Sequence, residues 1–230
     1  MLKLDNVSYR YRKGNRDVLR GVTAEFESGK VNAIVGPSGS GKTTLLSIMA
    51  GMDKPHGGSV SIEGEDLAKM DLNLYRRERI AMVFQAFHLF PLLTAMENVC
   101  YPLEASGANR ADAEKKAEAL LESVGITSDK YNRYPANLSG GEQQRVAIAR
   151  ALSVGAKVIL ADEPTGNLDT ANSEVVVDIL KQLAHEHGYC VVVVTHNPEI
   201  ANESDNVYRM KDGVLKQEGV AASPAKSKEE

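Results

Sequence analysis

The sequence predicts an α/β protein with a mixed or parallel core sheet, preceded by an N-terminal antiparallel β-subdomain and interrupted by a helical insertion. The parallel strands are indicated by two apolar runs, "KVILADE" and "YCVVVVTH", on either side of the helical segment "NSEVVVDILKQLAHEHG". Strands that are apolar throughout are typical of a parallel sheet that is covered on both faces. The antiparallel part is indicated by "LKLDNVSYRY" and "VLRGVTAEFE", in which apolar and polar residues partly alternate around a turn at Gly14 and Asn15.

The elements that follow are assigned in chain order. "KVNAIV" is a short apolar run that ends at Gly36, as a buried strand would, and "KTTLLSIMAG" has helical spacing up to Gly51. "GSVSIEGEDL" predicts a hairpin strand, and "ADAEKKAEALLESVG" predicts a helix that ends at Gly125. We expect one domain over 1–218, with a helical insertion at about 86–153, and a small, polar, disordered tail over 219–230.

The composition is that of a globular protein. With 230 residues, the chain is long enough for one large α/β domain or two small ones, and its 43% hydrophobic and 25% charged residues exclude a disordered or fibrous chain. A formal net charge of -4 argues against a sequence-blind nucleic-acid binder, which usually carries a basic excess. Cys100 and Cys190 are too few and too isolated for a disulfide framework or a zinc site, which favours a reducing, cytosolic setting.

Neither a signal peptide nor a membrane span is predicted. The first residues, "MLKLDNVSYRYRKG", lack the apolar segment of a signal peptide. The most apolar long stretch, Ile80 to Leu103, contains residues that a spanning helix tolerates poorly. These residues are Gln85, His88, Pro91, Glu97 and Asn98. We therefore expect a soluble protein.

The stretch "GPSGSGKT", Gly36 to Thr43, matches the pattern G-x-x-x-x-G-K-[ST] without a gap. Its glycines let successive N–H groups point at a phosphate beside a helix N-terminus, Lys42 reaches the β- and γ-phosphates, and Thr43 offers a hydroxyl to Mg²⁺. A loop that only caps a helix is the alternative, but the strand before it and the helix after it favour phosphate binding. The predicted nucleotide-binding residues are Gly36, Pro37, Ser38, Gly39, Ser40, Gly41, Lys42, Thr43 and Thr44.

Polar residues also end the two later apolar runs. "VILADE" supplies Asp162 for the Mg²⁺ shell and Glu163, which could polarise a water for attack on the γ-phosphate. A buried acidic pair without a cation or donors is costly, so a purely structural role is the less favoured alternative. "VVVVTH" ends in His196; a lone histidine is usually an ordinary surface or core residue, but the edge of the same sheet favours a role in catalysis.

The stretch "NLSGGEQQRVAIARAL" resembles the signature motif of ATP-binding cassette (ABC) ATPases. The other motifs occur in the order of that family: the phosphate loop, Gln85 in "VFQAF", the helical block, the signature, "ILADEPTGNLD" and "VVTH". The resemblance covers Leu2 to about Glu218, and the combined motifs are highly specific. It implies the fold of a P-loop NTPase, with ATP and Mg²⁺ as ligands.

The resemblance implies a role for several further residues. Tyr11 would stack on adenine, although an ordinary strand tyrosine is the alternative. Gln85 would contact Mg²⁺ and the attacking water and would sense a transporter subunit. Glu163 would be the catalytic base and His196 would grip the γ-phosphate. Asp169 in "GNLD" would lie at a subunit boundary, with a helix-capping aspartate as the alternative.

The signature motif would act on the nucleotide of a second subunit. In this family it faces the γ-phosphate that the partner's phosphate loop holds, which implies a homodimer in the ATP-bound state. The physical basis is again an anion at a helix N-terminus, and the partner's Lys42 makes a second lysine unnecessary. A loop that merely caps a helix is the alternative. The residues assigned to this role are Leu138, Ser139, Gly140, Gly141, Glu142 and Gln143.

The resemblance also implies a membrane partner on a separate chain, because the sequence has one cassette and no predicted span. "GPSGSGKTTLL", "VFQAFHLFPLLTAMENV" and "DEPTGNLD" are similar to ATPase subunits of the lipoprotein-release and macrolide-export type. That places the chain at the cytoplasmic face of a membrane and predicts no nucleic-acid partner. The alternatives are a soluble ABC ATPase that acts on nucleic acid or ribosomes, and a P-loop kinase or GTPase, against which the signature argues.

The segment "FQAFHLFPLL" is a candidate docking surface for that partner. It carries Phe84, Phe87, Phe90 and Leu92 beside Gln85, and we expect it to be partly exposed. Exposed apolar patches commonly mark interaction sites. The alternative is that these side chains form the core of the helical insertion.

Overall fold

A computed structural model describes residues 1–12 and 15–220 of the chain. The strands in these residues are, in chain order, β1 (Leu2–Tyr9), β2 (Leu19–Phe26), β3 (Lys30–Val35), β4 (Gly57–Ile62), β5 (Glu65–Asp66), β6 (Ile80–Phe84), β7 (Val158–Asp162), β8 (Cys190–Thr195), β9 (Asn206–Lys211) and β10 (Val214–Val220). The helices are α1 (Lys42–Met49), α2 (Leu72–Glu78), α3 (Ala95–Ala105), α4 (Arg110–Ser123), α5 (Gly140–Ser153), α6 (Thr170–His185) and α7 (Pro198–Asn202). The predicted turn residue Gly14 and the segment 221–230 lie outside the described residues, and β10 extends two residues into the predicted tail.

The strands form two sheets. The smaller has the order β2-β1-β4-β5, and all of its neighbours are antiparallel. The larger has the order β10-β9-β3-β8-β7-β6, in which every pair is parallel except the antiparallel hairpin of β9 and β10. The mixed core sheet and the N-terminal antiparallel sheet confirm the predicted fold class.

The larger sheet is covered on both faces, which explains why its strands are apolar throughout. In β8, Val191 and Val193 pack into a core with α3 to α6, whereas Val192 and Val194 pack into a second core with α1 and the smaller sheet. Because successive side chains of a strand point to opposite faces, a strand between two cores needs apolar residues at every position.

The helices between β6 and β7 form a block at one edge of the larger sheet. Helices α3, α4 and α5 pack on one another through buried residues such as Val99, Leu121 and Ile148. At the start of α3, the Thr94 hydroxyl oxygen accepts a hydrogen bond from the Glu97 N–H, and the Glu97 carboxylate accepts one from the Thr94 N–H. This reciprocal pair is a capping box. No helix in 1–12 or 15–220 has both the length and the apolar character that a membrane span requires.

The carboxyl ends of β3, β7 and β8 lie side by side at one edge of the larger sheet. Val35 pairs with Thr195, and Asp162 pairs with Val194. The loops that follow these strands begin with Gly36, Glu163 and His196, so residues far apart in the chain meet here. In open α/β sheets this edge is the usual place for ligand binding.

Candidate nucleotide-binding and hydrolysis site

The loop after β3 leads directly into α1. No side chain caps the N-terminus of this helix, so the backbone N–H groups of its first turn are free of a side-chain cap. Gly41 is the N-cap residue, and its φ of 109° is a conformation that favours glycine. Gly36 leaves room for the carbonyl of Met210, because a Cβ on Gly36 would lie 2.1 Å from that oxygen. The sequence thus folds into a tight cradle at a helix N-terminus, where the helix dipole favours an anion.

Lys42 is held over this loop by the loop's own backbone. Its Nζ donates to the carbonyl oxygens of Gly36, at 2.8 Å, and Pro37, at 3.2 Å. The positive charge therefore lies above the cradle, where a phosphate group could take over these hydrogen bonds.

Asp162 lies half-buried at the end of β7, beside the cradle. Burial raises the pKa of its carboxyl group, while a hydrogen bond from the Thr43 side chain and the charge of Lys42 act in the opposite direction. The Asp162 carboxylate and the Thr43 hydroxyl are oxygen donors of the kind that Mg²⁺ prefers. Mg²⁺ commonly takes only one or two carboxylates and completes its shell with waters and substrate phosphates, so this pair fits such an ion. No cluster of three or more potential His, Cys, Asp or Glu ligands occurs in the described part of the chain.

Glu163 is joined to the loop after β8. Its backbone has a φ of 49°, and its N–H group donates to the Val194 carbonyl at 2.8 Å. Its carboxylate lies 2.8 Å from Nδ1 of His196 and also accepts the His196 backbone N–H at 3.3 Å. A glutamate in the left-handed region is uncommon and costs free energy. Here that conformation aims the carboxylate at the mouth of the site.

Gln85, directly after β6, is held by Asn167. The Gln85 carboxamide donates to Asn167 Oδ1 at 3.2 Å, and Asn167 Nδ2 donates to the Gln85 carbonyl at 3.0 Å. Gly166 permits this approach, since a Cβ there would lie 2.8 Å from Gln85 Nε2. Asn167 was not predicted as a site residue, although it lies inside the quoted "GNLD".

Tyr11 also lines the cleft that contains Glu163. Its ring is half exposed and packs edge-on against Tyr9, with 5.1 Å between the centroids. Its hydroxyl is 2.9 Å from Oγ1 of Thr44 on α1, so the ring is anchored to the phosphate loop's helix. An exposed, anchored aromatic ring is a suitable platform for a base.

These residues surround one open cleft of about 580 Å³. Its lining comprises Tyr11, Val18, Ser38, Gly39, Gly41, Lys42, Thr43, Thr44, Gln85, Asp162, Glu163, Val194 and His196. The phosphate loop, the acidic pair, the glutamine and the histidine that were predicted from separate motifs are thus brought together. The predicted site residues that are not part of this lining are Gly36, Pro37, Ser40, Leu138 to Gln143 and Asp169.

The N-terminus of α5 has its own local structure. Ser139 is the N-cap residue, Glu142 completes a capping box with it, and Lys130 lies 2.7 Å from the Glu142 carboxylate. The hydrogen bond from Lys130 is the main reason that the pKa of Glu142 is below its ordinary value. A Cβ on Gly141 would lie 2.0 Å from Oδ1 of Asn172, so this glycine allows α5 to approach α6 closely. Ser139 is exposed, Gly140, Glu142 and Gln143 are partly exposed, and Gly141 is buried. The binding of a second chain's nucleotide by this turn stays a prediction.

Asp169 is the N-cap residue of α6. Its carboxylate accepts hydrogen bonds from the backbone N–H of Asn172, at 2.8 Å, and from Nδ2 of the same residue. These bonds hold its pKa below the ordinary value. Asp169 is therefore a helix cap within the chain, and its place at a subunit boundary stays a prediction.

Gln144 was not predicted, yet it connects several parts of the site. It is fully buried on α5, and its Nε2 donates to the carbonyl oxygens of Pro164, at 2.6 Å, and Phe84, at 3.3 Å. Pro164 follows Glu163 and Phe84 precedes Gln85. Gln144 therefore connects α5, which begins with the signature residues, to the backbone next to Glu163 and next to Gln85.

The chain is similar in sequence to proteins that are already known. A family model described as "ABC transporter" matches residues 19–166, more than half of the chain. The chain is 44% identical to the lipoprotein-releasing system ATP-binding protein LolD of Saccharophagus degradans, over 95% of the chain and 98% of that protein. It is also 44% identical to the macrolide export ATP-binding/permease protein MacB of Rhodopirellula baltica, but it spans only 32% of that protein's length.

Two solved structures of the ABC transporter cassette MJ0796 have the same fold. One is dimeric, with a TM-score of 0.87 and 40% identity over 97% of this chain and all of that one. The other is a dimeric post-hydrolysis state bound to ADP and Pi, with a TM-score of 0.87 and 39% identity over the same shares.

Proposed function

The chain belongs to the ABC transporter family of ATP-hydrolysing proteins, and on that premise we propose that it dimerises around two ATP molecules and drives a separate membrane subunit. The observation that carries this proposal is that the signature motif lies outside the cleft that the other motifs line. One cleft holds the phosphate loop, Gln85, Glu163 and His196, whereas Ser139 at the start of α5 is not part of its lining. The N-terminus of α5 is suited to an anion but lies outside the chain's own cleft. It could bind the γ-phosphate of a nucleotide that a second copy of the chain holds.

In this proposal each residue of the cleft has a separate role in ATP binding or hydrolysis. Lys42 and the N–H groups of the phosphate loop bind the β- and γ-phosphates, and Thr43, Gln85 and Asp162 would hold Mg²⁺. The ion would neutralise charge that develops on the phosphate oxygens. Glu163 accepts a proton from the attacking water, and His196, 2.8 Å from that carboxylate, keeps it oriented and contacts the γ-phosphate.

The relatives support a membrane partner of the lipoprotein-release or macrolide-export type. The chain is 44% identical to a relative named as the ATP-binding protein of a lipoprotein-releasing system. It is equally similar to a macrolide export ATP-binding/permease protein. Such a partner would hold the protein at the cytoplasmic face of the membrane. The substrate contacts would lie on the partner.

The partner can be tested with the product of the neighbouring reading frame, which we expect to be a membrane protein. We expect that co-expression and reconstitution with this protein raise the ATPase rate, and that DNA or ribosomes leave the rate unchanged. Stimulation by DNA or ribosomes and not by any membrane subunit would instead favour an ABC ATPase that acts on nucleic acid.

The loop between β6 and α3 is the proposed contact surface for that partner. Phe90 is 42% exposed and Leu92 is 85% exposed, and Tyr101 on α3 packs edge-on against Phe90 at 5.0 Å. The loop is held from below by Asn98, whose buried carboxamide accepts the Phe90 N–H at 2.8 Å and donates to the Leu93 carbonyl at 3.0 Å. Phe84 and Phe87 are partly buried, whereas Phe90 and Leu92 are exposed on a backbone that Asn98 holds, which suits docking at these two side chains.

Phe90→Ala is expected to weaken assembly with the membrane subunit about tenfold, as the loss of an aromatic interface residue commonly does. The purified variant should keep its basal ATPase rate, because Phe90 does not line the nucleotide cleft. Affinity is measured by titrating the reconstituted membrane subunit, and thermal unfolding is measured beside it.

Val175→Ala is the matched control, because Val175 is also 42% exposed but lies on α6. It should leave assembly unchanged. If Phe90→Ala lowered the melting temperature and the assembly by the same proportion, Phe90 would belong to the core of the helical block instead.

A further inference from the structure

The hairpin of β9 and β10 ends in a two-residue turn that lies against the nucleotide site. Its residues, Asp212 and Gly213, have φ values of 49° and 80°. Positive φ at both central residues is typical of a tight hairpin turn whose twist matches that of its strands. Along the chain the turn lies outside the predicted motifs, and its sequence, "KDGV", indicates only a turn.

Both the backbone N–H and the backbone carbonyl of Gly213 form hydrogen bonds. Its N–H group donates to the carbonyl oxygen of Ser40 in the phosphate loop at 3.1 Å, and its own carbonyl accepts the Arg20 N–H at 2.9 Å. A Cβ on Gly213 would lie 2.4 Å from the carbonyl oxygen of Val18, a residue that lines the cleft. No side chain can therefore be added at Gly213 unless the Val18 backbone moves.

The strand that leads into this turn touches the same loop. The Met210 carbonyl occupies the space beside Gly36, and the end of the Met210 side chain lies 2.9 Å from where a Cβ on Gly41 would be. Met210 is fully buried. The phosphate loop is thus packed against the hairpin at Gly36, Ser40 and Gly41, which are three of its eight motif positions.

We propose that the Asp212–Gly213 turn is a positioning element of the nucleotide site. It holds the phosphate loop through Ser40 and packs against Val18, which lines the cleft together with Tyr11, and so sets the distance between the phosphate loop and this part of the lining. This inference rests on the proposed nucleotide function of the cleft. Gly213 itself touches neither ATP nor the reacting atoms, so its effect should fall on binding and not on the chemical step.

The chain supplies a matched control for the test. The turn between β4 and β5 consists of Glu63 and Gly64, with φ values of 52° and 86°. A Cβ on Gly64 would meet nothing within 4 Å. Gly64→Ala and Gly213→Ala each place an alanine at a positive φ and so cause a similar backbone strain. Only Gly213→Ala also disturbs Val18 and Ser40.

We expect Gly213→Ala to raise the Kd for ATP about tenfold, and Gly64→Ala to change it less than about twofold. The rate at saturating ATP should be similar in both variants, so that KM changes and kcat does not. Equal ATP affinities in the two variants would overturn the inference and leave the proposed function intact. If the unmodified protein did not bind ATP at all, both would be overturned.

A measurement on the unmodified protein covers the case in which Gly213→Ala does not fold. Hydrogen exchange of the Gly213 amide should become slower when ATP is added, because its acceptor, the Ser40 carbonyl, belongs to the loop that ATP orders. The Gly64 amide should exchange at the same rate with and without ATP. If ATP did not slow exchange at Gly213, the inference would be wrong.

Discussion

Glu163→Gln is expected to lower the rate of ATP hydrolysis by about 10²- to 10⁴-fold while ATP still binds. An amide cannot accept the proton of the attacking water, but glutamine has the same shape and length as glutamate. The backbone contact of residue 163 does not depend on its side chain, since its N–H donates to the Val194 carbonyl and its φ is 49°. The substitution should therefore change the chemistry and leave the geometry in place.

With the γ-phosphate uncleaved, two Glu163→Gln subunits should stay closed around their nucleotides. Size-exclusion chromatography should then show a dimer with ATP and a monomer without it. Glu118→Gln is a control of equal charge change, because Glu118 is exposed on α4. It should hydrolyse ATP at the normal rate. Near-normal hydrolysis by Glu163→Gln would remove this residue from the mechanism.

A mixture of two inactive variants should recover nucleotide-dependent dimerisation. Lys42→Ala removes the cation from the chain's own phosphate loop, and Ser139→Arg places a bulky cation where the partner's phosphate would lie. Each homodimer contains two damaged composite sites. In a mixed dimer one site carries both lesions and the other is intact, so dimers should form from the mixture but not from either component.

The readout is dimer capture with one variant tagged, with hydrolysis as a second measurement. Ser139→Arg also removes a helix cap, which costs about 1 kcal/mol. Thr94→Arg is the control for this loss, since Thr94 caps α3 through the same kind of capping box. It should still dimerise with ATP. If both motifs served the same chain's nucleotide, no intact site could form and the mixture would be as inactive as its components.

Elements that depend on local pattern were predicted from the sequence. The apolar run that became β8, the helix after the phosphate loop and the two sheets all follow from periodicity and turn residues. Side-chain contacts between distant parts of the chain were not predicted. The hydrogen bonds of Gln144 join residues 20 and 60 positions apart, and no local pattern indicates them.

The same division applies to the site. The motif residues around Gly36, Asp162 and His196 were found because each motif has a fixed spacing. The left-handed backbone of Glu163 and the Gly213 contact to Ser40 were not found, because both depend on which strands become neighbours. For Asp169 the sequence left two alternatives open. The structure shows the helix cap, and contact across a subunit boundary remains a prediction.

The position of β3 in the larger sheet determines when the nucleotide site can form during translation. Both neighbours of β3, which are β8 and β9, come from residues 190–211. At about 5–20 residues per second, the ribosome needs roughly ten to thirty seconds after Val35 before Thr195 is made. Throughout that interval the strand lacks its partners and the turn that contacts Ser40 does not exist. A chain that stopped before β8 would contain the complete Gly36–Thr43 motif and would have no folded loop to present it.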